Sequence, residues 1–298
     1  MEFRSIFVAN PAQLSVRRNQ LVIRQEKEST VPLEDISSLL IESRAVTITT
    51  AALQELACHG VTVYICNNTH MPAALLLPMN QNSRQLKMLK SQIAMSLPTK
   101  KRVWKTIVSA KIHNQAKCLE ILRKPAVGEL RYLSESVGPG DPDNYEAITA
   151  SRYFPALFGS SFTRSEDCLI NACLNYGYSI LRGAIARNLV IRGIEPCLGI
   201  FHHNELNQFN LADDLMEPYR PLVDLYVATA INGEGILTPA IKQQLFNLSN
   251  YLVEQNGKKY KAISAVGRMT DSFVRILRGQ ERILEVPELL PLQEYHYE

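Results

Sequence analysis

The chain has 298 residues, 46% of them apolar and 20% charged, and a net charge of +3. This is globular composition, which excludes a disordered or fibrous protein, and the length is enough for one large domain or two modest ones. No apolar run approaches the roughly 18–20 residues that a membrane span needs. Met1 to Asn10, with Glu2 and Arg4, lacks the basic start and apolar run of a signal peptide, so a cytoplasmic protein with no membrane partner is expected.

From Phe3 to about Pro78 the pattern is β. Gln20–Arg24, Ser38–Glu42, Val61–Cys66 and Ala74–Pro78 are short runs rich in Val, Ile, Leu and Thr, separated by turn residues. Thr49 to His59 reads as one helix, capped by Thr50, with Leu53, Leu56 and Ala57 on its apolar face and Gly60 at its end. After Pro78 the period changes. Arg84–Ser96, Lys101–Arg123, Ser165–Arg192, Leu222–Asn232, Pro239–Asn256 and Tyr260–Arg278 all show helical spacing. Ser136 to Asp143 is a loop by its Gly, Pro and Asp content, and the last dozen residues, with Pro287 and Pro291, read as an irregular tail. The predicted fold class is therefore α+β in two domains: a small N-terminal β-rich domain over 1–78, then a larger all-α C-terminal domain over 79–298.

The six cysteines (58, 66, 118, 168, 173 and 197) form no CxxC pair and no zinc spacing, so they read as buried apolar residues in a reducing compartment. Charge is uneven along the chain. Residues 81–125 hold eleven basic side chains and one acidic, more than the whole net excess. Arg84, Lys87, Lys90, Lys100, Lys101, Arg102, Lys105 and Lys111, near Trp104 and Gln115, form the footprint of a polyanion partner, set against the plainer possibility of a solvated face.

Two segments carry candidate chemistry. In His202-His-Asn-Glu-Leu-Asn-Gln-Phe-Asn-Leu-Ala-Asp-Asp-Leu-Met-Glu-Pro218, Asp214 and Glu217 are three apart, a helical neighbour spacing. The Asn-rich turn can return His202 towards them, and one imidazole with carboxylate oxygens suits Mn²⁺ or Mg²⁺. On spacing alone, a solvated or capping pair is the commoner occurrence. In Asn144-Tyr-Glu-Ala-Ile-Thr-Ala-Ser-Arg-Tyr-Phe154, Glu146 lies among small residues that allow close packing, though it also suits a helix first turn after an Asp143/Asn144 cap. There is no GxSxG, Walker A or GxGxxG motif, and Cys173 sits inside an apolar helix pattern.

Four motifs in one order are similar to those of the CRISPR-associated protein 1 family, the integrase of CRISPR adaptation. They are Glu146-Ala-Ile-Thr-Ala-Ser-Arg-Tyr-Phe154, Asn171-Ala-Cys-Leu-Asn-Tyr-Gly-Tyr178, Gly199-Ile-Phe-His202 and Leu211-Ala-Asp-Asp-Leu-Met-Glu-Pro-Tyr-Arg-Pro221. The resemblance covers essentially the whole chain and looks most like members from type II systems. It implies a metal, Mg²⁺ or Mn²⁺, held by Glu146, His202 and Glu217, with Asp214 assisting. His202 is preferred over His203 because it lies three residues after Gly199, as the family's His does. Many members have Asp where Glu217 stands, so backbone placement must absorb one extra methylene.

The resemblance also implies insertion of prespacer DNA into a CRISPR array by 3′-hydroxyl transesterification. The implied partners are double-stranded DNA (prespacer and leader–repeat), a second copy of the chain through the β-domain, and CRISPR-associated protein 2 in a heterohexamer, with room for other adaptation or effector proteins. The alternatives are a general metal-dependent DNA nuclease and a non-catalytic DNA-binding scaffold of the adaptation complex. Tyr145, Tyr153 and Tyr219 lie near the site in sequence without an assigned role.

Overall fold

The computed structural model describes residues 4–78, 84–232 and 235–294. The chain divides into two compact units: residues 1–85 with 189–194, and residues 86–188 with 195–298. The expected boundary at 78/79 is thus placed at 85/86, with a short later segment joining the first unit.

The first unit holds β1 (Arg4–Val8), β2 (Gln13–Arg17), β3 (Gln20–Arg24), β4 (Glu28–Pro32), β5 (Ile36–Ile41), β6 (Thr47–Ile48), α1 (Thr50–Cys58), β7 (Thr62–Cys66) and β8 (Pro72–Leu76). One sheet has the order β4-β3-β2-β6 and the other β1-β5-β7-β8. Arg18 and Asn19 both take positive φ between β2 and β3, which gives the tight hairpin whose twist matches its strands. β5 is buried along its whole length, as expected of a strand flanked by parallel neighbours, here β1 and β7. Leu14, Leu21, Leu33, Leu39, Leu56 and Val63 meet in one apolar core. The α1 cap is Thr49 rather than the expected Thr50: its hydroxyl accepts from the Ala52 N–H at 3.2 Å.

The second unit is mainly helical, with α2 (Gln85–Ile93), α3 (Leu97–Ile121), α4 (Val127–Ser136), α5 (Tyr145–Phe158), α6 (Leu169–Ile191), α7 (Asn210–Met216), a 3-10 turn over Glu217–Tyr219, α8 (Arg220–Ala230), α9 (Pro239–Asn247) and α10 (Ala262–Leu277). α6 ends within the segment that groups with the first unit. α3 is the central helix, burying Trp104, Ile107, Ile112 and Leu119. α6 and α8 approach closely because Gly177 has no side chain; a Cβ there would stand 2.5 Å from a Val223 methyl.

An all-α expectation needs amending in this unit. Tyr251–Gln255 forms β9, Lys258–Lys261 forms β10 and Glu288–Glu294 forms β11, in one antiparallel sheet of order β10-β9-β11. The helix expected over 239–256 stops at Asn247, α10 begins at Ala262 rather than Tyr260, and the expected irregular tail forms a strand over Glu288–Glu294, its last four residues lying outside the described ones. Asn256 and Gly257 both take positive φ, so Asn-Gly closes a β9–β10 hairpin. No described helix is long and apolar enough to cross a membrane. The six cysteines form no disulfide; Cys66, Cys118 and Cys173 are buried as expected, but Cys168 and Cys197 are half-buried and Cys58 is exposed.

Candidate active site

The site grows from three elements of the second unit. α5 delivers Glu146 in its first turn. Asn144 takes a left-handed conformation and its side chain caps nothing. The helix is capped instead by Asp141, whose carboxylate accepts from the N–H groups of Tyr145 (2.9 Å) and Glu146 (3.0 Å). The 3-10 turn after α7 delivers Glu217, which is 3% exposed. α3 delivers Lys111, whose Nζ stands 2.7 Å from Glu146 Oε1 and 2.5 Å from Glu217 Oε2. Asn114, one turn on, fixes the register by donating to the Pro218 and Pro287 carbonyls and accepting from the Leu289 N–H.

Glu217 is held by charge. Its Oε1 accepts from Arg220 Nε at 2.9 Å. Oε2 meets the Lys111 ammonium at 2.5 Å. Burial pushes the Glu217 carboxyl up, but Arg220 and Lys111 outweigh it and hold the group below its ordinary range.

His202 is positioned by a folded loop. Asp214, wholly buried on α7, accepts from the N–H groups of Ile200 (2.5 Å), Phe201 (3.0 Å) and His202 (3.2 Å), and bonds His202 Nδ1 at 2.6 Å. This places a proton on Nδ1, so in the neutral ring Nε2 is the nitrogen that carries the lone pair. Gly199 permits the fold, since a Cβ there would stand 2.1 Å from the His202 carbonyl oxygen. Asn204, Asn207 and Asn210 all bond loop backbone, so the Asn-rich sequence is a knot of local turns. Phe201 stacks on Trp104 of α3 at 4.3 Å, and the His202 ring meets Trp104 edge-on. The Asp214 hydrogen bond raises the His202 pKa, burial opposes this, and the charges of Glu217 and Glu146 add to the rise.

Glu146 and Glu217 thus meet at Lys111, and their charges reach the His202 ring. Asp214 and Glu217 do not act as a pair: Asp214 serves the 200–202 loop, and Glu217 serves Lys111 and Arg220. Among the described residues, no group of three or more His, Cys, Asp or Glu stands in metal-holding geometry, and Lys111 Nζ contacts both glutamates. The donor chemistry nevertheless fits a hard divalent cation: two carboxylates and one imidazole whose Nδ1 is held by Asp214.

The family profile described as CRISPR associated protein Cas1 matches residues 6–260. The chain belongs to the Cas1 family. Its relatives include the CRISPR-associated endonuclease Cas1 of Neisseria meningitidis, 44% identical and covering 100% of both chains. The fold is that of a casposase solved bound to integration product (TM-score 0.76, 18% identity, 95% of this chain and 92% of that one). It is also that of a chain in a Cas6-RT-Cas1–Cas2 complex (TM-score 0.72, 18% identity, 94% of this chain and 35% of that one).

In this Cas1-family chain the basic segment splits. Arg84, Lys87, Lys90 and Lys101 are exposed, and Lys100, Arg102 and Lys105 are half-buried. Lys111 differs from the other seven. It is buried among carboxylates and does not sit on the exposed basic face assumed for it. Its sequence signal is that it lies two turns from Trp104 and one from Asn114, both buried on α3. Tyr145 is half-buried, and Tyr219 is buried beside Glu217.

Tyr153 belongs to a second layer that sequence reasoning missed. Its hydroxyl donates to buried Asp224 at 3.0 Å, as does that of Tyr178. Arg220 stacks over the Tyr178 ring at 4.5 Å. Asp224 therefore backs the arginine that holds Glu217. Burial pushes the Asp224 pKa up to about 6, partly offset by the two tyrosines. The folded pKa lies above the unfolded one, so Asp224 destabilises the fold above pH 6, and that penalty fades as pH falls towards 4. The full shift corresponds to roughly 3 kcal/mol. In urea unfolding, Asp224→Asn is expected to gain on wild type by up to that amount between pH 4 and pH 7. A difference that stays flat over this range contradicts the assignment.

Proposed function

We propose that this chain is a metal-dependent DNA integrase and endonuclease of CRISPR adaptation. The 3′-hydroxyl of a prespacer strand attacks a phosphodiester at the leader–repeat junction. A new O3′–P bond forms as the old P–O3′ bond breaks, and the displaced strand leaves with its own 3′-hydroxyl. The observation that carries this reading, in a Cas1-family chain, is that Glu146 and Glu217 meet at Lys111 and that their charges act on the His202 ring.

Glu146, Glu217 and His202 Nε2 would hold Mg²⁺ or Mn²⁺, which when bound supplies Lewis-acid activation and charge neutralisation at the phosphate. Asp214 fixes the imidazole orientation and tautomer. Arg220 fixes the Glu217 carboxylate. The exposed Arg84, Lys87, Lys90 and Lys101, with half-buried Lys100, Arg102 and Lys105, contact DNA backbone and contribute affinity that falls with salt. The relatives' complexes support DNA and a Cas2 protein as partners. A homodimer, and two such dimers around a Cas2 dimer, complete the proposed assembly.

The test is strand transfer into a supercoiled plasmid bearing a leader and repeat, with the cognate Cas2 partner and Mn²⁺ or EDTA. Wild type joins a 3′-hydroxyl prespacer only with metal, while Glu146→Ala and His202→Ala lose joining and keep DNA binding. Joining by either variant defeats the assignment. Metal-dependent cutting that ignores a blocked prespacer 3′-end would instead favour a general nuclease.

A further inference from the structure

The Lys111 side chain is 11% exposed, and its ammonium contacts Glu146 Oε1 at 2.7 Å and Glu217 Oε2 at 2.5 Å. Both carboxylates belong to the group proposed above to hold the cation. A lysine ammonium is almost never buried without partners. Here the dependence runs both ways. Without Lys111, Glu217 Oε2 would face Glu146 with no cation beside it. Arg220 cannot replace it, since Arg220 is committed to the other Glu217 oxygen.

We propose that Lys111 is the resident counter-cation of the metal site. It holds Glu146 and Glu217 together in the metal-free protein, on oxygens a divalent ion would take, and it competes with that ion until DNA phosphate draws the ammonium away. The proposal rests on the metal reading given above. It follows from charge balance. Lys111 and Arg220 offset Glu146 and Glu217. A divalent ion added to that balanced set leaves an excess of positive charge, which DNA phosphates offset. Metal and DNA therefore bind with positive coupling, of the usual order of about 5–150-fold.

The experiment is calorimetric titration of the DNA-free full-length chain with Mn²⁺, for wild type, Lys111→Gln, Lys111→Arg and Glu146→Gln. Lys111→Gln is expected to bind Mn²⁺ about tenfold more tightly than wild type. Its melting temperature should be lower without metal and recover with Mn²⁺, while Lys111→Arg stays near wild type. Equal or weaker Mn²⁺ binding by Lys111→Gln overturns the proposal. Glu146→Gln separates the two levels. If it leaves Mn²⁺ binding unchanged, the metal site is wrong and the inference falls with it. If it weakens binding and Lys111→Gln gains nothing, the metal site stands and the counter-cation role does not. Should Lys111→Gln fail to fold, wild type alone decides. Its Mn²⁺ affinity should rise about tenfold in the presence of DNA duplex, after correction for ions taken by DNA, and an unchanged affinity overturns the coupling.

Discussion

Glu217→Gln is expected to lower metal-dependent strand joining by roughly a thousandfold or more, equivalent to about 4 kcal/mol of transition-state stabilisation. The substitution keeps volume and shape and removes one charge. Glu217 is 3% exposed and meets Arg220 at 2.9 Å and Lys111 at 2.5 Å. Those two cations hold its carboxyl below the ordinary range, so it is ionised throughout the neutral range and loses that state only as pH falls through the lowered value. Removing one member of a buried ion pair costs roughly 3–5 kcal/mol, because the remaining charges stay buried. Urea unfolding should therefore show a loss alongside the loss of joining. DNA binding should change little, since the exposed basic residues are untouched. Joining within tenfold of wild type would remove Glu217 from the site.

Asp214→Ala is expected to have the next largest effect, although Asp214 is not placed as a metal ligand. Its carboxylate takes three consecutive backbone N–H groups and the His202 ring. Alanine leaves these buried donors unsatisfied, at about 1–3 kcal/mol each where water does not replace the bond. The 199–202 loop should loosen and the His202 tautomer should no longer be fixed. Removing an outer-layer partner of this kind typically costs about 10–100-fold in metal affinity or activity. The expected signature is weaker Mn²⁺ binding with joining partly recovered at high Mn²⁺, in a protein with a lowered melting temperature. Joining that is lost at every Mn²⁺ concentration, in a folded variant, would make Asp214 a direct ligand instead.

Half of the first unit's strands were legible, because apolar runs between turn residues leave few alternatives: β3 coincides with its predicted range and β5, β7 and β8 overlap theirs, whereas β1, β2, β4 and β6 were not foreseen. The failures have physical causes. Pro239 to Asn256 keeps helical spacing by chance across the join between α9 and β9, and the Asn256-Gly257 pair was the local signal against it. Asp141, four residues before Tyr145, caps α5 through a tight turn with left-handed residues at Asp141 and Asn144, a geometry that spacing rules for regular caps do not cover.

The sequence by itself determined the family, the order of its motifs, and the residue types of the chemistry proposed for Glu146, His202 and Glu217. These follow from side-chain chemistry and chain order, which no folding step alters. Only the tertiary structure decided what each charge faces. Lys105 and Lys111 look alike in a basic run, yet Lys105 is half-buried and Lys111 is enclosed by carboxylates from α5 and the turn after α7. Asp214 and Glu217 share a spacing but take different partners. The reason is that the energy of a charge depends on burial and on the nearest opposite charge, and here those partners lie 35, 106 and 12 residues away in the chain, for Glu146 and Glu217 with Lys111 and for Asp214 with His202.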